Sequence, residues 1–341
     1  EIKAQLLEEG HTFRSETDTE VLDHLFEKYY DGDLLRAVRK GLENVQGAYA
    51  IAVISLDSPD EIVVAKTASP IVIGIGEDGT YLASGVPALL PHTKKMIYLK
   101  DEELAVLTKD GVRIYDFNGE EVPCKIEEAV WDPITVQKQG YKHFMLKEIH
   151  EQPTAVANTL TDQIDYKTGF VDMRGLGIGD DVIKSLENIT LIACGTAWHA
   201  GWTAKYSWQK HLNMPISIEL ASEFRYSNPY LSKNTLIVAI SQSGETADTL
   251  AAVSLAKQKG SKILAITNSP GSSLSREADY TFYTQAGPEI GVASTKCFLV
   301  QLAALALIEL HLGRVRGTLR DDEIRRRTSE LMKLPSLIER S

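Results

Sequence analysis

The sequence has 341 residues, of which 43% are hydrophobic and 24% charged, with a formal net charge of −11. At roughly 150 residues per domain this length predicts two domains, and the composition is that of ordinary globular protein. The acidic balance excludes a general nucleic-acid binder, and Cys124, Cys194 and Cys297 are too few and too widely spaced for a disulfide framework or a zinc site.

Glu1 to Gly10 reads as the end of an amphipathic helix, with Ile2, Leu6 and Leu7 on one face and Gly10 as its stop. Because the chain opens on Glu1 inside this pattern, it is expected to be a piece of something longer. Ser15-Glu-Thr-Asp18-Thr-Glu20 then places acidic residues at the start of a helix marked by Val21, Leu22, Leu25 and Phe26. A further helix, about Asp33 to Asn44, carries Leu34, Leu35, Val38 and Leu42. From Ala48 the period changes to extended. Strands are expected at 49–56, 61–66, 71–75 and 81–84, with a hairpin of 96–106 and 112–117 turning at Lys109-Asp-Gly111. Gly119 to about Gln139 is polar and irregular and reads as a linker. Tyr141 to Leu160 looks helical, with a new helix starting at Pro153.

Strands and helices then alternate. Strands are predicted near 188–193, 215–219, 235–240, 262–267 and 280–284, and helices near 197–212, 221–226, 245–259, 272–277 and 294–313. That order predicts βαβ units, a parallel sheet and helices on both faces. The longest apolar stretch, Cys297 to Leu310, is broken by Gln301 and Glu309 and is too short to span a membrane. No signal-peptide pattern is present, and a reducing, cytoplasmic setting fits the cysteines.

Two turns in this region carry chemistry. Ser241-Gln-Ser-Gly-Glu-Thr-Ala-Asp-Thr249 joins a buried strand to a helix, so hydroxyls of Ser241, Ser243, Thr246 and Thr249 and a close-approach glycine meet a helix start. Without a Lys or Arg it is no nucleoside-triphosphate loop, and a neutral cradle suits a single terminal phosphate. A capped helix start without a ligand is the plainer reading of the same spacing. The second turn, Cys194-Gly195-Thr196, follows the strand 188–193, and two such turns could share one crevice. Gly74-Ile-Gly76 and Gly175-Leu-Gly177-Ile-Gly179 lack the strand–GxGxxG–helix frame and read as turns. Trp198, Trp202 and Tyr206, spaced by four, read as core or subunit interface. His199 reads as a packing residue, and the eight histidines show no HExxH-type pairing, so no metal is expected.

Taken together, Ser15–Glu20, Lys147-Glu-Ile-His-Glu-Gln-Pro153, Ala193-Cys-Gly-Thr196, Ala221-Ser-Glu-Phe-Arg-Tyr226, Ser241–Thr249 and Glu289-Ile-Gly-Val-Ala-Ser-Thr-Lys296 resemble, in order, the glutamine–fructose-6-phosphate aminotransferases (isomerising), the glucosamine-6-phosphate synthase family. The resemblance covers essentially the whole chain. It implies an α/β protein in two parts. Residues 1–118 would be the C-terminal part of an N-terminal-nucleophile (αββα) glutaminase domain of amidotransferase type 2. Residues 119–179 would be a linker with connecting helices, and 180–320 one SIS-type (sugar isomerase) parallel-sheet αβα domain. Residues 321–341 would start the connection to a second SIS domain.

It further implies Asp18 on the α-ammonium of glutamine, and Thr196, Ser241, Gln242, Ser243, Thr246, Val292 and Ser294 on the sugar phosphate. Fructose 6-phosphate, glutamine and glucosamine 6-phosphate are the implied ligands, with no cofactor, metal, nucleic acid or membrane, and a homodimer as the assembly. The family's nucleophilic cysteine, glutamate base, lysine and ring-opening histidine are expected outside these residues, leaving a chain that binds without turning over. Ala197 departs from the serine common in the family at that position. A non-catalytic SIS-type sugar-phosphate regulator is the alternative, which leaves the Ser15–Glu20 motif and the strand-rich first region without a role.

Overall fold

A computed structural model describes residues 1–161 and 163–341. The chain divides into two compact units, Glu1–Pro133 and Ile134–Ser341.

In the first unit, helices α1 (Ile2–Glu8), α2 (Glu20–Tyr29) and α3 (Leu34–Leu42) precede strands β1 (Tyr49–Ser55), β2 (Ser58–Thr67), β3 (Val72–Ile75) and β4 (Thr80–Ala83). A one-turn helix α4 (Val86–Leu89) follows, then β5 (Lys95–Tyr98), β6 (Glu103–Thr108), β7 (Gly111–Asp116), β8 (Glu121–Val122) and β9 (Glu127–Glu128). Two antiparallel sheets result, in the orders β1-β2-β6-β7-β8 and β4-β3-β5-β9. Side chains alternate across a strand, and β2 uses both faces. Val63 and Ala65 pack with Leu6, Phe26, Val38 and Leu42 of the helices, whereas Val64 packs with Ile73 and Ile97 of the other sheet. Three layers, helices, sheet and sheet, are thereby specified by one strand, and α4 caps the far side through Leu89 beside Gly74.

Two expectations need correction here. The segment 96–106 is not one strand: β5 and β6 belong to different sheets, and the chain crosses between them at 99–102, with Glu102 at φ 61°. Its unbroken apolar character reflects burial of Met96, Ile97, Leu99, Leu104 and Ala105 in two neighbouring layers. The stretch read as a linker is in part ordered: β8 pairs with β7 and β9 with β5.

The second unit begins with α5 (Phe144–His150) and α6 (Gln152–Leu160), the short strands β10 (Ile164–Asp165) and β11 (Phe170–Val171), and α7 (Asp180–Ser185). Then come β12 (Asn188–Ala193), α8 (Gly195–Leu212), β13 (Ile216–Leu220), α9 (Ala221–Phe224), β14 (Thr235–Ile240) and α10 (Ala247–Gln258). The unit ends with β15 (Lys262–Thr267), α11 (Ser273–Glu277), β16 (Tyr280–Tyr283), α12 (Lys296–Val315) and α13 (Asp321–Glu339). The sheet β13-β12-β14-β15-β16 is parallel throughout. Leu191, Val238 and Leu264 face a core shared with α8 and α12, while Ile192, Ile237 and Ala265 face the opposite core with α9 and α10. Such two-sided burial is why these strands read as near-continuous apolar runs.

Helix α12 has the length expected near 294–313, and by length and composition alone it could cross a membrane, which corrects the expectation that its apolar stretch is too short to do so; most of it is buried. Its residues Val300, Ala304, Leu307 and Ile308 lie in the core, and its polar interruption Glu309 is satisfied by neighbouring side chains. Glu309 accepts hydrogen bonds from Ser207 Oγ at 2.8 Å and Arg327 Nη1 at 3.2 Å, and meets His211 Nδ1 at 2.6 Å. Trp208, fully buried on α8, donates its indole N–H to the Leu305 carbonyl at 3.2 Å. Replacing a buried Trp by Ala removes transfer free energy and leaves a cavity. Trp208→Ala is expected to destabilise the second unit by about 3–5 kcal/mol, read as a lowered midpoint in urea denaturation followed by circular dichroism.

Candidate functional site

In an open parallel sheet, a crevice forms beyond the carboxyl ends of two adjacent strands whose connections leave in opposite directions. Here those strands are β12 and β14: β13 lies on one side of β12, and β14, β15 and β16 lie on the other. A cavity of about 400 Å³ opens at that point. Its walls come from Cys194, Gly195, Thr196 and Ala197 after β12, from Ser241, Gln242, Ser243 and Thr246 after β14, and from the 289–294 loop ahead of α12. Thr196, Ser241, Gln242, Ser243, Thr246, Val292 and Ser294, expected at one ligand, all line it. Val292 has its side chain fully exposed.

The turn after β14 is held by its own backbone and hydroxyls. Ser241 Oγ accepts the Gly244 N–H at 3.1 Å and lies 2.9 Å from Thr246 Oγ1, and Ser243 Oγ accepts the Glu245 N–H at 3.1 Å. The Gln242 carbonyl accepts the Asn268 N–H at 3.0 Å, and the Glu245 carboxylate accepts the Ser273 N–H at 2.8 Å. Gly244 sits at φ +67°, where an added Cβ would lie 2.1 Å from Ser272 Oγ. Thr249, expected among the cradle hydroxyls, is instead buried within α10, because the helix starts at Ala247 and turns position 249 inward. Arg225 Nη1 donates to Asp248 Oδ1 at 3.0 Å, which joins the Ala221–Tyr226 motif to this turn.

The third wall is positioned by residues of the Lys147–Pro153 and Glu289–Lys296 motifs, which the sequence marked without giving them a role. Glu148 accepts the N–H groups of Ile290 at 2.6 Å and Gly291 at 3.0 Å. Glu289 accepts those of Thr295 at 2.8 Å and Cys297 at 3.2 Å, satisfying free donors at the start of α12. Lys296 Nζ, buried, meets Glu151 Oε2 at 2.6 Å, and Lys147 Nζ donates to the carbonyls of Thr135 at 2.6 Å and Gln137 at 2.7 Å. Ser294 Oγ and Gln301 Oε1 are buried at this wall without a hydrogen-bond partner among the described residues. Burial, reinforced by the Glu289 charge, pushes the Cys297 thiol far above its ordinary range, so it is no nucleophile. His199 is exposed at the edge of the Trp198 ring, 5.1 Å between centroids.

Asp18 belongs to the first unit. It is exposed, and its carbonyl accepts the Val21 N–H at 3.1 Å as α2 begins. Glu20 ties its loop together by accepting Ser15 Oγ at 2.6 Å and the N–H groups of Arg14 at 2.6 Å and Ser15 at 2.7 Å.

Residues 1–117 match the glutamine amidotransferase domain and residues 183–309 the SIS domain. The chain is 44% identical over 340 residues to the glutamine–fructose-6-phosphate aminotransferase (isomerising) of Clostridium tetani, covering 100% of this chain and 56% of that protein. The enzyme of the same name from Symbiobacterium thermophilum is 47% identical over 335 residues, covering 98% and 55%, and that from Thermus thermophilus 45% over 339 residues, covering 99% and 55%. Among solved structures, the C-terminal domain of glucosamine-fructose-6-phosphate aminotransferase from Francisella tularensis superposes with a TM-score of 0.57 at 43% identity, covering 59% of this chain and 56% of that one. The chain spans about half the length of the curated relatives it matches.

Two measurements test this geometry. Gly244→Ala adds a steric clash to a strained backbone, so a loss of about 1–3 kcal/mol is expected from each. Gly195→Ala, at φ +58° with nothing within 4 Å of the new Cβ, is expected to cost only about 1–2 kcal/mol; denaturant midpoints compare the two. For Glu20, the Ser15 hydroxyl and then the Arg14 amide hold the carboxyl down to about 2. A lowered folded-state pKa contributes stability that is present above the unfolded value and lost as pH falls through the folded one. The loop is therefore expected to keep its Glu20 contacts below the usual carboxylate range, with the Glu20 carboxyl carbon titrating near 2 by NMR.

Over the half of their length that it spans, the chain is similar throughout to the glutamine–fructose-6-phosphate aminotransferases, and it matches a glutamine amidotransferase domain followed by a SIS domain.

Proposed function

We propose that the chain carries the glutamine-side domain and a sugar-phosphate-side domain of an enzyme that makes glucosamine 6-phosphate from fructose 6-phosphate and glutamine-derived ammonia. The observation that carries this reading is the convergence of seven expected contact residues on one cavity at the sheet's switch point. In this reading Asp18 receives the glutamine ammonium, a role suited to an exposed carboxylate. The enzyme acts as a cytoplasmic homodimer, in keeping with three free cysteines.

The cradle's proton inventory suits a phosphate. Ser243 Oγ accepts from an amide, leaving its own O–H free to donate into the cavity. Ser241 and Thr246 share one hydrogen bond, so one of their two hydroxyl protons remains free. Thr196 and Ser294 add two more hydroxyls on the other walls. Among the described residues no Lys or Arg lines the cavity. Neutral donors orient the phosphate end while the rest of the sugar stays available to ammonia, which must arrive unprotonated and therefore shielded from water.

Calorimetric titration of the chain with fructose 6-phosphate, glucosamine 6-phosphate and inorganic phosphate tests the reading. Saturable binding of both sugar phosphates is expected. Ser243→Ala is expected to weaken it at least tenfold, because a hydrogen bond to a charged group contributes about 1.5–3 kcal/mol. Absence of binding by the folded chain, or unchanged affinity in the variant, overturns the assignment.

A further inference from the structure

A second grouping of functional side chains lies in the first unit. His11, at the end of α1, meets His24 and Glu27 on one face of α2. His11 Nδ1 is 3.2 Å from His24 Nδ1, His11 Nδ1 is 3.3 Å from Glu27 Oε2, and His24 Nδ1 is 3.2 Å from the same oxygen. The three atoms form a nearly equilateral triangle. With bonds of about 2.0–2.1 Å, two ligand atoms of a tetrahedral zinc ion stand about 3.3 Å apart. The triangle therefore matches one face of such a tetrahedron.

Hydrogen bonding alone does not account for this arrangement. Two neutral imidazoles carry at most one proton each at Nδ1. If both donate to Glu27, two N–H groups confront one another at 3.2 Å. If one Nδ1 accepts from the other, that acceptor faces the carboxylate lone pairs with no proton between. A single cation at the centre satisfies all three atoms at once.

The surroundings fit the same reading. A histidine bound through Nδ1 keeps its proton on Nε2, and metal-bound histidines commonly present that N–H to a carboxylate. His24 Nε2 is buried without a hydrogen-bond partner among the described residues, and Glu20 Oε1 lies 3.9 Å away. Phe13 packs against the His24 ring with centroids 4.6 Å apart and fixes its tilt. The histidine side chains are only 18% and 17% exposed, whereas Glu27 is 69% exposed, so the fourth position opens to solvent.

We propose that His11 Nδ1, His24 Nδ1 and Glu27 Oε2 form a tetrahedral binding site for a first-row divalent cation of the zinc type, completed by a solvent ligand. Two imidazoles and one carboxylate favour such a metal over magnesium or calcium, which take oxygen ligands. The site ties residue 11 to α2 and so closes the 12–19 loop, which carries Asp18, at both ends. No pair at HExxH spacing marks it in the sequence, because the histidines are 13 residues apart and meet only when α1 packs on α2.

Titration of the intact chain with zinc against a chromophoric chelator tests the site, and cobalt substitution reports its geometry. One equivalent bound with micromolar or tighter affinity is expected, together with the intense visible absorption of tetrahedral cobalt. Glu27→Gln, an exposed change on a helix surface, and His11→Ala are each expected to weaken binding at least tenfold without altering the circular dichroism spectrum. Failure of the folded chain to bind zinc at 100-fold lower affinity than expected, unchanged affinity in both variants, or an octahedral cobalt spectrum overturns the proposal.

Discussion

One wall of the cavity beyond β12 and β14 depends on a set of charges withdrawn from water. Lys147, Glu148 and Lys296 are nearly fully buried, and Glu151 bridges the two lysines, at 3.4 Å from Lys147 Nζ and 2.6 Å from Lys296 Nζ. Two positive and two negative groups leave no net charge behind. Removing one member of a buried pair costs about 3–5 kcal/mol because its companion stays stranded. Glu148 spends its charge on two backbone amides of the 289–295 loop, and Lys147 donates to two carbonyls ahead of α5. The Lys147–Pro153 motif thereby joins α5 and α6 to the loop that closes the cavity, and its residue types follow from that task.

The same wall explains how a cavity proposed to take an anion can contain a carboxylate. Glu289 lines it, yet Glu289 Oε1 is occupied by the Thr295 and Cys297 amides at the start of α12. Helix starts favour negative charge, so Glu289 is stabilised where it sits. The opposite walls offer hydroxyls and backbone turns, held by the sheet rather than by flexible cationic side chains. A cradle of that kind loses little conformational freedom when a ligand arrives, whereas ordering a rotamer-rich side chain costs about 0.5–1.5 kcal/mol.

The parallel sheet was legible in the sequence because its central strands β12, β14 and β15 are buried on both faces. Strands 188–193, 235–240 and 262–267 have the bounds their apolar runs predict. The turns that bear Thr196, Ser241, Ser243 and Thr246 were legible too, since they sit at the ends of β12 and β14, whereas Val292 and Ser294, on the loop ahead of α12, were reached only through the resemblance. What escaped depended on long-range packing. Glu148 meets residues 142 and 143 positions away, and Lys296 meets Glu151 145 positions away, separations that no local period can register. The segment 96–106 misled for the opposite reason: local apolarity was continuous while the chain changed sheets. Thr249 misled because a hydroxyl count along a turn ignores where the helix begins and which way its third residue points.

A common device runs through both units. Glu20 gathers the amides of residues 14 and 15, Glu148 those of 290 and 291, and Glu289 those of 295 and 297. In each case a carboxylate accepts N–H groups from a loop or a helix start that has no backbone carbonyl to satisfy them. Such charge-assisted bonds are roughly twice as strong as neutral ones, and they leave loop side chains unengaged. Asp18, Val292 and Ser294 stand on these loops, free of the work of holding them. A binding loop built this way is rigid in its backbone and open in its side chains, the combination that binding requires. The carboxylates that shape the sites are therefore distinct from the groups proposed to touch the ligands, and a motif scan that rewards only ligand contacts passes over them.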